Sequence, residues 1–297
     1  MEELALATSV VYQLGTNAAF LFLCSLGLIV ILGMMNIINL AHGELMMIGA
    51  YVATIAVQAG LPFPVGVVLA FIVTAVFGAF LERLVIRRFY GRELGALVVT
   101  WGISLILSQG ALLVFGPFMP AIGIPGGSYT IGPYSLSGYW LMMIALCVAL
   151  VFGLWWLYQK TEFGLHARAT MQNAEMARSL GVNTSRVYML TFSLGAGLGG
   201  LSGALLAPTT SIAPFMGTQF VAPAFITVVV GGAANVIAGA VGSSLLLSFV
   251  QTPVGLVFGA FLGVIALFFA ALVIIRLMPS GISTFMQRLI ERRSRFA

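Results

Sequence analysis

The polar residues best placed to do chemistry in this chain stand in otherwise apolar sequence. Asn36, Asn39, His42 and Glu44 form the densest such group. Asn39 is placed to cap a following helix, with Glu44 in the N-terminal half of that helix complementing its dipole. The same side chains could instead line a permeation path or gate, because polar groups inside a membrane are costly and concentrate along pathways. Both readings are open on these residues. Asn235, closing the run Gly231-Gly232-Ala233-Ala234-Asn235, marks a second interruption, and paired broken segments in two halves of a transporter point to a central site. Trp101, Ser104, Ser108 and Gln109 share one stretch and are further candidates to line a path, with packing and lipid-interface roles as the alternative.

Other chemistries find no residues. His42 has no second His or Cys nearby, so no metal site is expected. Cys24 and Cys147 lie in apolar runs and read as small core residues rather than a disulfide or metal pair. No constellation of nucleophile, base and metal ligand can be assembled, so the chain does not read as an enzyme. No Gly-x-x-x-x-Gly-Lys-Ser/Thr occurs, so the chain binds no ATP through a P-loop. ATP-driven work would need a separate polypeptide, and no cofactor is expected on this one.

A third set lies between two apolar segments, in Lys160-Thr-Glu-Phe-Gly-Leu-His-Ala-Arg168 through Glu175 and Ala177 to Gly181-Val-Asn183. This stretch is longer than a turn needs. Leu165, Ala169, Ala177 and Leu180 alternate with polar residues at near-helical spacing, which predicts a short amphipathic helix. Gly181 is placed to end it as a left-handed cap, and His166 reads as a surface residue of the loop. Such a helix is either a docking element or an interfacial helix that joins two spans.

Composition fixes the setting of these residues. The chain has 297 residues, 61% hydrophobic and 7% charged, with a mean hydropathy of +1.11. A soluble domain carries about 25% charged residues, so a soluble fold is excluded. The expected fold is all-α, a polytopic transmembrane bundle of about eight spans with broken or re-entrant segments. It forms one domain over 1–297, with the loop at about 160–186 on the cytoplasmic side. The start, Met1-Glu2-Glu3-Leu4, lacks the basic region of a cleaved signal, so the first apolar segment is expected to remain as a span.

The thirteen Lys and Arg residues fall in three clusters: Arg83 to Arg92, Lys160 to Arg186, and Arg276 to Arg295. Short basic loops stay on the cytoplasmic side. The net charge of +5 is then explained by loops beside anionic headgroups, not by nucleic acid. Apolar segments run at about 10–34, 44–60, 64–84, 95–115, 139–158, 187–207, 221–251 and 254–276. Parity between the clusters requires 221–251 to begin and end on the outer face, with a break near Asn235. It also places the Gly-Pro-rich loop 116–138, and Glu2 and Glu3, outside. The stretch 35–44 is a candidate to lie inside the membrane. Gly195, Gly199 and Gly203, and then Gly255, Gly259 and Gly263, recur every fourth residue, which predicts two helix faces for close packing.

Several of these motifs together resemble a known family. Glu175-x-Ala177-x-x-x-Gly181 resembles the EAA-type loop of ABC importer permeases. Gly164-Leu-His-Ala-Arg168-Ala is similar to the branched-chain amino acid permease branch of that family. So are Asn36-Ile-Ile-Asn39-Leu-Ala-His42-Gly43-Glu44, Val229-Val-Gly231-Gly232-x-x-Asn235 and Pro279-Ser-Gly281. Ala233-Ala234 replaces a pair often richer in Gly, and Ser280 stands where Arg is common. The resemblance covers essentially the whole chain.

The resemblance implies a bacterial or archaeal plasma-membrane permease working by alternating access. Arg168, Glu175, Ala177 and Gly181 would then face cytoplasmic ATP-binding subunits. It further implies a second, homologous permease subunit and an extracytoplasmic solute-binding protein on loops 116–138 and 208–220. The implied solute is a branched-chain amino acid; urea and short amides belong to the same branch, and 99–107 is similar to its urea-type members. The rival class is an ion-coupled secondary transporter. The chain has no Asp, and Glu44 is its one candidate intramembrane acid, which favours a driving force supplied from outside.

Overall fold

The computed structural model describes residues 2–125, 127–131, 134–232, 235–279 and 281–284. Gly126, Pro133, Ala233, Ala234, Ser280 and the basic residues Arg288, Arg292, Arg293 and Arg295 lie outside the described residues. Eleven α-helices and one hairpin are formed among those described. In order these are α1 (Glu2–Met35), α2 (His42–Gln58), α3 (Phe63–Leu84), α4 (Glu93–Phe115), β1 (Ser128–Ile131), β2 (Tyr134–Ser137), α5 (Gly138–Lys160), α6 (Glu162–Gln172), α7 (Ala174–Ser179), α8 (Thr184–Leu206), α9 (Gly217–Gly231), α10 (Val236–Phe258) and α11 (Ala260–Leu277). Seven of them (α1, α3, α4, α5, α8, α10 and α11) are long and apolar enough to cross a membrane, while α9 is a shorter apolar helix. The all-α polytopic expectation holds, with seven long helices where about eight spans were expected. The antiparallel pair β1–β2, with Ser128 opposite Ser137, is an addition within the Gly-Pro-rich loop 116–138.

The chain divides into two compact units, Cys24–Gly123 with Leu154–Pro223, and Met1–Leu23 with Ile124–Gly153 and Ala224–Ala297. In the first, α8 is the central helix, packed by small residues that allow backbones to touch. A Cβ on Gly49 of α2 would lie 1.9 Å from the carbonyl oxygen of Gly200, and one on Gly203 would lie 1.8 Å from that of Met46. On another side of α8, Ser193 Oγ donates to the Ala75 carbonyl of α3 at 2.8 Å. The Gly195-Gly199-Gly203 stripe is therefore a packing face, as its spacing predicts.

Two basic clusters meet at one end of this unit. Arg87 lines a cavity of 510 Å³ together with Arg178, Gly181, Asn183 and Thr184. Beside it, the rings of Tyr90 and Tyr188 meet edge to face at 4.9 Å. The Tyr90 hydroxyl donates to Glu82 Oε1, and Glu82 is 1% exposed. Burial, reinforced by Glu82 as acceptor and as negative charge, pushes the Tyr90 hydroxyl above the ordinary tyrosine range. A buried carboxylate that loses its donor keeps its desolvation penalty, so Tyr90→Phe is expected to destabilise the protein by about 2 kcal/mol. Thermal unfolding in detergent measures this; an unchanged melting temperature would show that Glu82 finds another donor. At the opposite end, the stretches 116–123 and 208–216 meet in an antiparallel bridge, with Met119 N–H donating to the Ile212 carbonyl at 3.0 Å.

In the second unit, Tyr12 of α1 donates to the Ser137 carbonyl at 3.1 Å and accepts from its N–H at 2.9 Å, which ties the start of α1 to the hairpin. Leu21, Val230, Leu247, Leu267 and Ala271 make the core. Two sequence expectations need correction here. The apolar segments set at 221–251 and 254–276 are divided elsewhere. The first helix pair occupies 217–258, with its break at 232–235, and α10 continues through Pro253 to Phe258. A helix of 23 residues is about 35 Å long, so α10 is full-length rather than half of a re-entrant pair. Gly259 does not share a helix face with Gly255 and Gly263. It turns the chain at φ +94°, so that Gly255 and Gly263 face each other across the α10–α11 hairpin. Gly232, just after α9, lies by Gly281, whose Cβ would fall 2.5 Å from Gly232 Cα.

Candidate functional site

The buried polar cluster is built by a chain reversal after α1. Asn36 ends α1 at φ +51°, a left-handed conformation that asparagine tolerates better than most residues. Its Nδ2 donates to Glu93 Oε1, at the start of α4, at 2.5 Å. From there an extended stretch runs back alongside α4: the Leu40 N–H donates to Thr100 Oγ1 at 3.1 Å, and the Ser104 side chain stands beside the Glu44 carboxyl group. At a rise of 1.5 Å per residue, Thr100 is about 10 Å and Ser104 about 16 Å along α4 from Glu93. Helix α2 therefore starts beside the middle of α4, a helix of membrane length.

Asn39, His42 and Glu44 come together there; Asn36 is exposed and does not. Asn39 is 1%, His42 0% and Glu44 2% exposed. Asn39 Oδ1 accepts from the Ala41 N–H at 3.1 Å, so it shapes the turn ahead of α2 instead of capping it; the helix has no side-chain cap. His42 Nε2 lies 2.9 Å from the Cys24 carbonyl. The ring fits because Gly27 of α1 and Gly199 of α8 have no side chain: a Cβ on either would stand 3.1 Å from His42 Cε1. Gly217, at the start of α9, packs onto Gly43 with backbone in contact. Among the described residues, Asn39 Nδ2, His42 Nδ1 and Glu44 Oε2 are buried without a hydrogen-bond partner, which is uncommon for buried polar atoms. Of the α4 candidates, Ser104 reaches this cluster. Ser108 turns back to the Ser104 carbonyl at 3.0 Å, and Trp101 and Gln109 are exposed. Asn235 belongs to the other unit, where it is exposed and caps α10 by accepting from the Ala238 N–H at 3.1 Å.

The loop between α5 and α8 folds as two short helices where one was expected. Thr161 Oγ1 caps α6, accepting from the Gly164 N–H at 3.1 Å. Gly164 is required by the tight bend, since a Cβ would lie 2.3 Å from the Tyr158 carbonyl oxygen. Asn173 then breaks the helix and caps α7 through Met176 N–H at 3.0 Å. Gly181 stops α7 at φ +89°; its N–H bonds the Arg178 carbonyl and the Val182 N–H bonds that of Ala177, both at 3.0 Å, a Schellman cap. The buried face consists of Gly164, Ala167, Thr170 and Ala177. Leu165 and Leu180, expected on the apolar face, point outward at 58% and 78% exposure, and Met176 joins them at 59%. Glu175 and Gly181 are exposed, and Arg168 is half-buried, with Nη1 buried and unpartnered. Met176 escaped the sequence reading because the expected helix ran past Asn173, whose capping chemistry was the available signal.

Apolar helices of membrane length, interrupted around buried polar groups and joined by a basic helical loop, define a multi-pass membrane transport protein. Residues 11–278 match the model of the family described as branched-chain amino acid transport system, permease component, and the chain belongs to that family. It is 30% identical to the high-affinity branched-chain amino acid transport system permease protein BraD of Pseudomonas aeruginosa, over 88% of this chain and 90% of that protein. It is 27% identical to the corresponding LivH protein of Escherichia coli K12, over 75% and 78%. The autoinducer 2 import system permease protein LsrC of Salmonella paratyphi B is 29% identical over 73% and 61%. No solved structure shows significant similarity. The chain is thus a multi-pass integral protein of the plasma membrane and a permease component.

Proposed function

We propose that the chain is the membrane-spanning subunit of an ATP-driven importer of branched-chain amino acids, working by alternating access. The observation that carries this reading is the exposed apolar face of α6–α7. Leu165, Met176 and Leu180 project from the end that bears Arg87 and Arg178, the cytoplasmic end by the distribution of basic residues. Large apolar side chains on a basic, water-facing loop favour a protein partner. An ATP-binding subunit seated there through Leu165, Met176, Glu175 and Leu180 supplies the hydrolysis for which this chain has no P-loop. Arg168 and Ala177 lie behind that surface and support it, while Gly181 fixes its end. A solute-binding protein docks at the opposite end, where 116–123 meets 208–216, and a second permease subunit completes the membrane part.

Asn39, His42 and Glu44 form the gate. Their free polar atoms offer alternative partners that a moving helix can exchange, and the energy for the exchange comes from ATP and solute binding two states with different affinity. Asn36 and Asn235 set the two breaks that let the helices move. The names of the relatives favour a branched-chain amino acid as solute. Uptake of labelled leucine and of labelled urea by proteoliposomes holding the complete importer tests this. ATP-dependent leucine uptake that requires the binding protein is the expected result; ATP-independent uptake driven by a proton or sodium gradient would contradict it.

A further inference from the structure

In the unit that contains the start of α1, a second polar cavity of 220 Å³ opens among α1, α10 and α11. Gln13 and Asn17 of α1 and Gln251 and Thr252 of α10 line it, and among the described residues no charged side chain lines it. All four lie in helices of membrane length, where polar side chains are costly and mark pathways. Gln13 and Asn17 are four residues apart and share a helix face. Asn17 Nδ2 donates to Thr252 Oγ1 at 2.9 Å, and Ser248 Oγ to the Leu14 carbonyl at 2.7 Å, so the wall is held by two side-chain hydrogen bonds between α1 and α10.

Three features keep the cavity open and polar. Gly255 and Gly263 face each other across the α10–α11 hairpin and place no side chain there. Pro253 cannot donate to the Phe249 carbonyl four residues back. Gln251 Oε1 is buried and receives no hydrogen bond, although buried acceptors are normally satisfied. The space corresponds to about seven waters at roughly 30 Å³ each, the scale of a small solute.

We propose that this cavity is a solute subsite on the permeation path, taking a small polar molecule without net charge, bound through the polar side chains of Gln13, Asn17 and Gln251 that line it. Without a charged lining the cavity offers no counter-ion to a net charge. Amide and hydroxyl groups serve both as donors and as acceptors, which matches the ammonium and carboxylate of a zwitterionic amino acid and equally the N–H and C=O of a short amide. Tyr12, next to Gln13, is bonded to Ser137, so the cavity lies toward the hairpin end of α1, which the basic clusters place outside. This assignment rests on the transport reading above and locates its solute.

The test uses the complete importer in proteoliposomes, with leucine and urea as separate labelled solutes. Gln251→Leu and Gln13→Leu are expected to lower uptake at least about ten-fold, the scale of one lost hydrogen bond to a charged group. ATP hydrolysis stimulated by the loaded binding protein is expected to stay at the wild-type level, which a folding defect would not allow. Uptake within about two-fold of wild type, in protein that hydrolyses ATP normally, overturns the subsite. Should either variant fail to fold, Gln13→Cys with Cys24→Ala and Cys147→Ala is treated with a small methanethiosulfonate during turnover. Protection by the transported solute supports the subsite, and an unchanged labelling rate overturns it. A wild-type importer that moves neither leucine nor urea refutes the transport reading for these solutes and the subsite with it. Wild-type uptake with unaffected variants refutes the subsite alone.

Discussion

A permease carrying Gly203→Val is expected to leave almost no folded protein in the membrane. The Cβ at this position would stand 1.8 Å from the Met46 carbonyl oxygen and 2.5 Å from its carbon. Both are backbone atoms of α2, so no rotamer change can relieve the contact. The helices would have to separate by about 1.5 Å to reach ordinary van der Waals distance, and close-packed interiors transmit such shifts. Separation would also open the neighbouring Gly49–Gly200 approach on the same pair of helices. Overpacking costs typically 1–3 kcal/mol where side chains can yield, and about 3 kcal/mol or more is expected here. Since α2 carries His42 and Glu44, the buried cluster would be lost with the helix pair. Size-exclusion profiles of detergent extracts measure the outcome. Gly102→Val on α4, where a Cβ meets nothing within 4 Å, serves as control and is expected to behave as wild type. A wild-type profile for Gly203→Val would refute the packing described for α8.

Leu180→Glu is expected to have the opposite signature, an intact fold with the partner lost. Leu180 is 78% exposed in the free subunit, so its replacement removes little buried surface and is expected to change stability by less than about 0.5 kcal/mol. In a docked complex the same side chain would be buried. A buried leucine contributes roughly 2 kcal/mol, and a charge put in its place adds a desolvation cost. Association with the ATP-binding subunit is therefore expected to weaken by at least about 30-fold, with a matching fall in uptake. Met176→Glu should act alike, since Met176 projects from the same short helix. Co-purification and uptake measured together check this; undiminished association would show that the partner does not use the exposed face of α7.

Much of this architecture is legible in the residues. Two of the basic clusters were expected on one side, and Arg87 and Arg178, one from each, share one cavity. The break before α10 was signalled by Gly231-Gly232 and Asn235, because glycine leaves helical conformation cheaply and asparagine caps the next helix. The stripe Gly195, Gly199 and Gly203 predicted close packing, and its partners are Gly27, His42 and Met46. The similar spacing of Gly255, Gly259 and Gly263 misled, because four-residue intervals look the same along one helix and across a hairpin that turns on the middle glycine. The division set between 251 and 254 falls inside α10, because in apolar surroundings a helix keeps its remaining hydrogen bonds and continues through Pro253. In the basic loop the spacing of Leu165, Ala169, Ala177 and Leu180 predicts one apolar face. The structure separates them: Ala177 packs inward, while Leu165 and Leu180 are exposed. Gln13, Asn17 and Gln251 went unnoticed within long apolar runs, although the four-residue interval between Gln13 and Asn17 was a signal that could have found them.

The docking of an ATP-hydrolysing subunit on the α6–α7 surface is tested most directly by a photo-activated cross-linking residue placed at Leu180 in the complete importer. Illumination is expected to give one adduct whose partner is the ATP-binding subunit, formed from the cytoplasmic side and changed in yield when ATP is bound. Adducts to lipid alone, or to the extracytoplasmic binding protein, would contradict both the orientation of the chain and the role assigned to this loop.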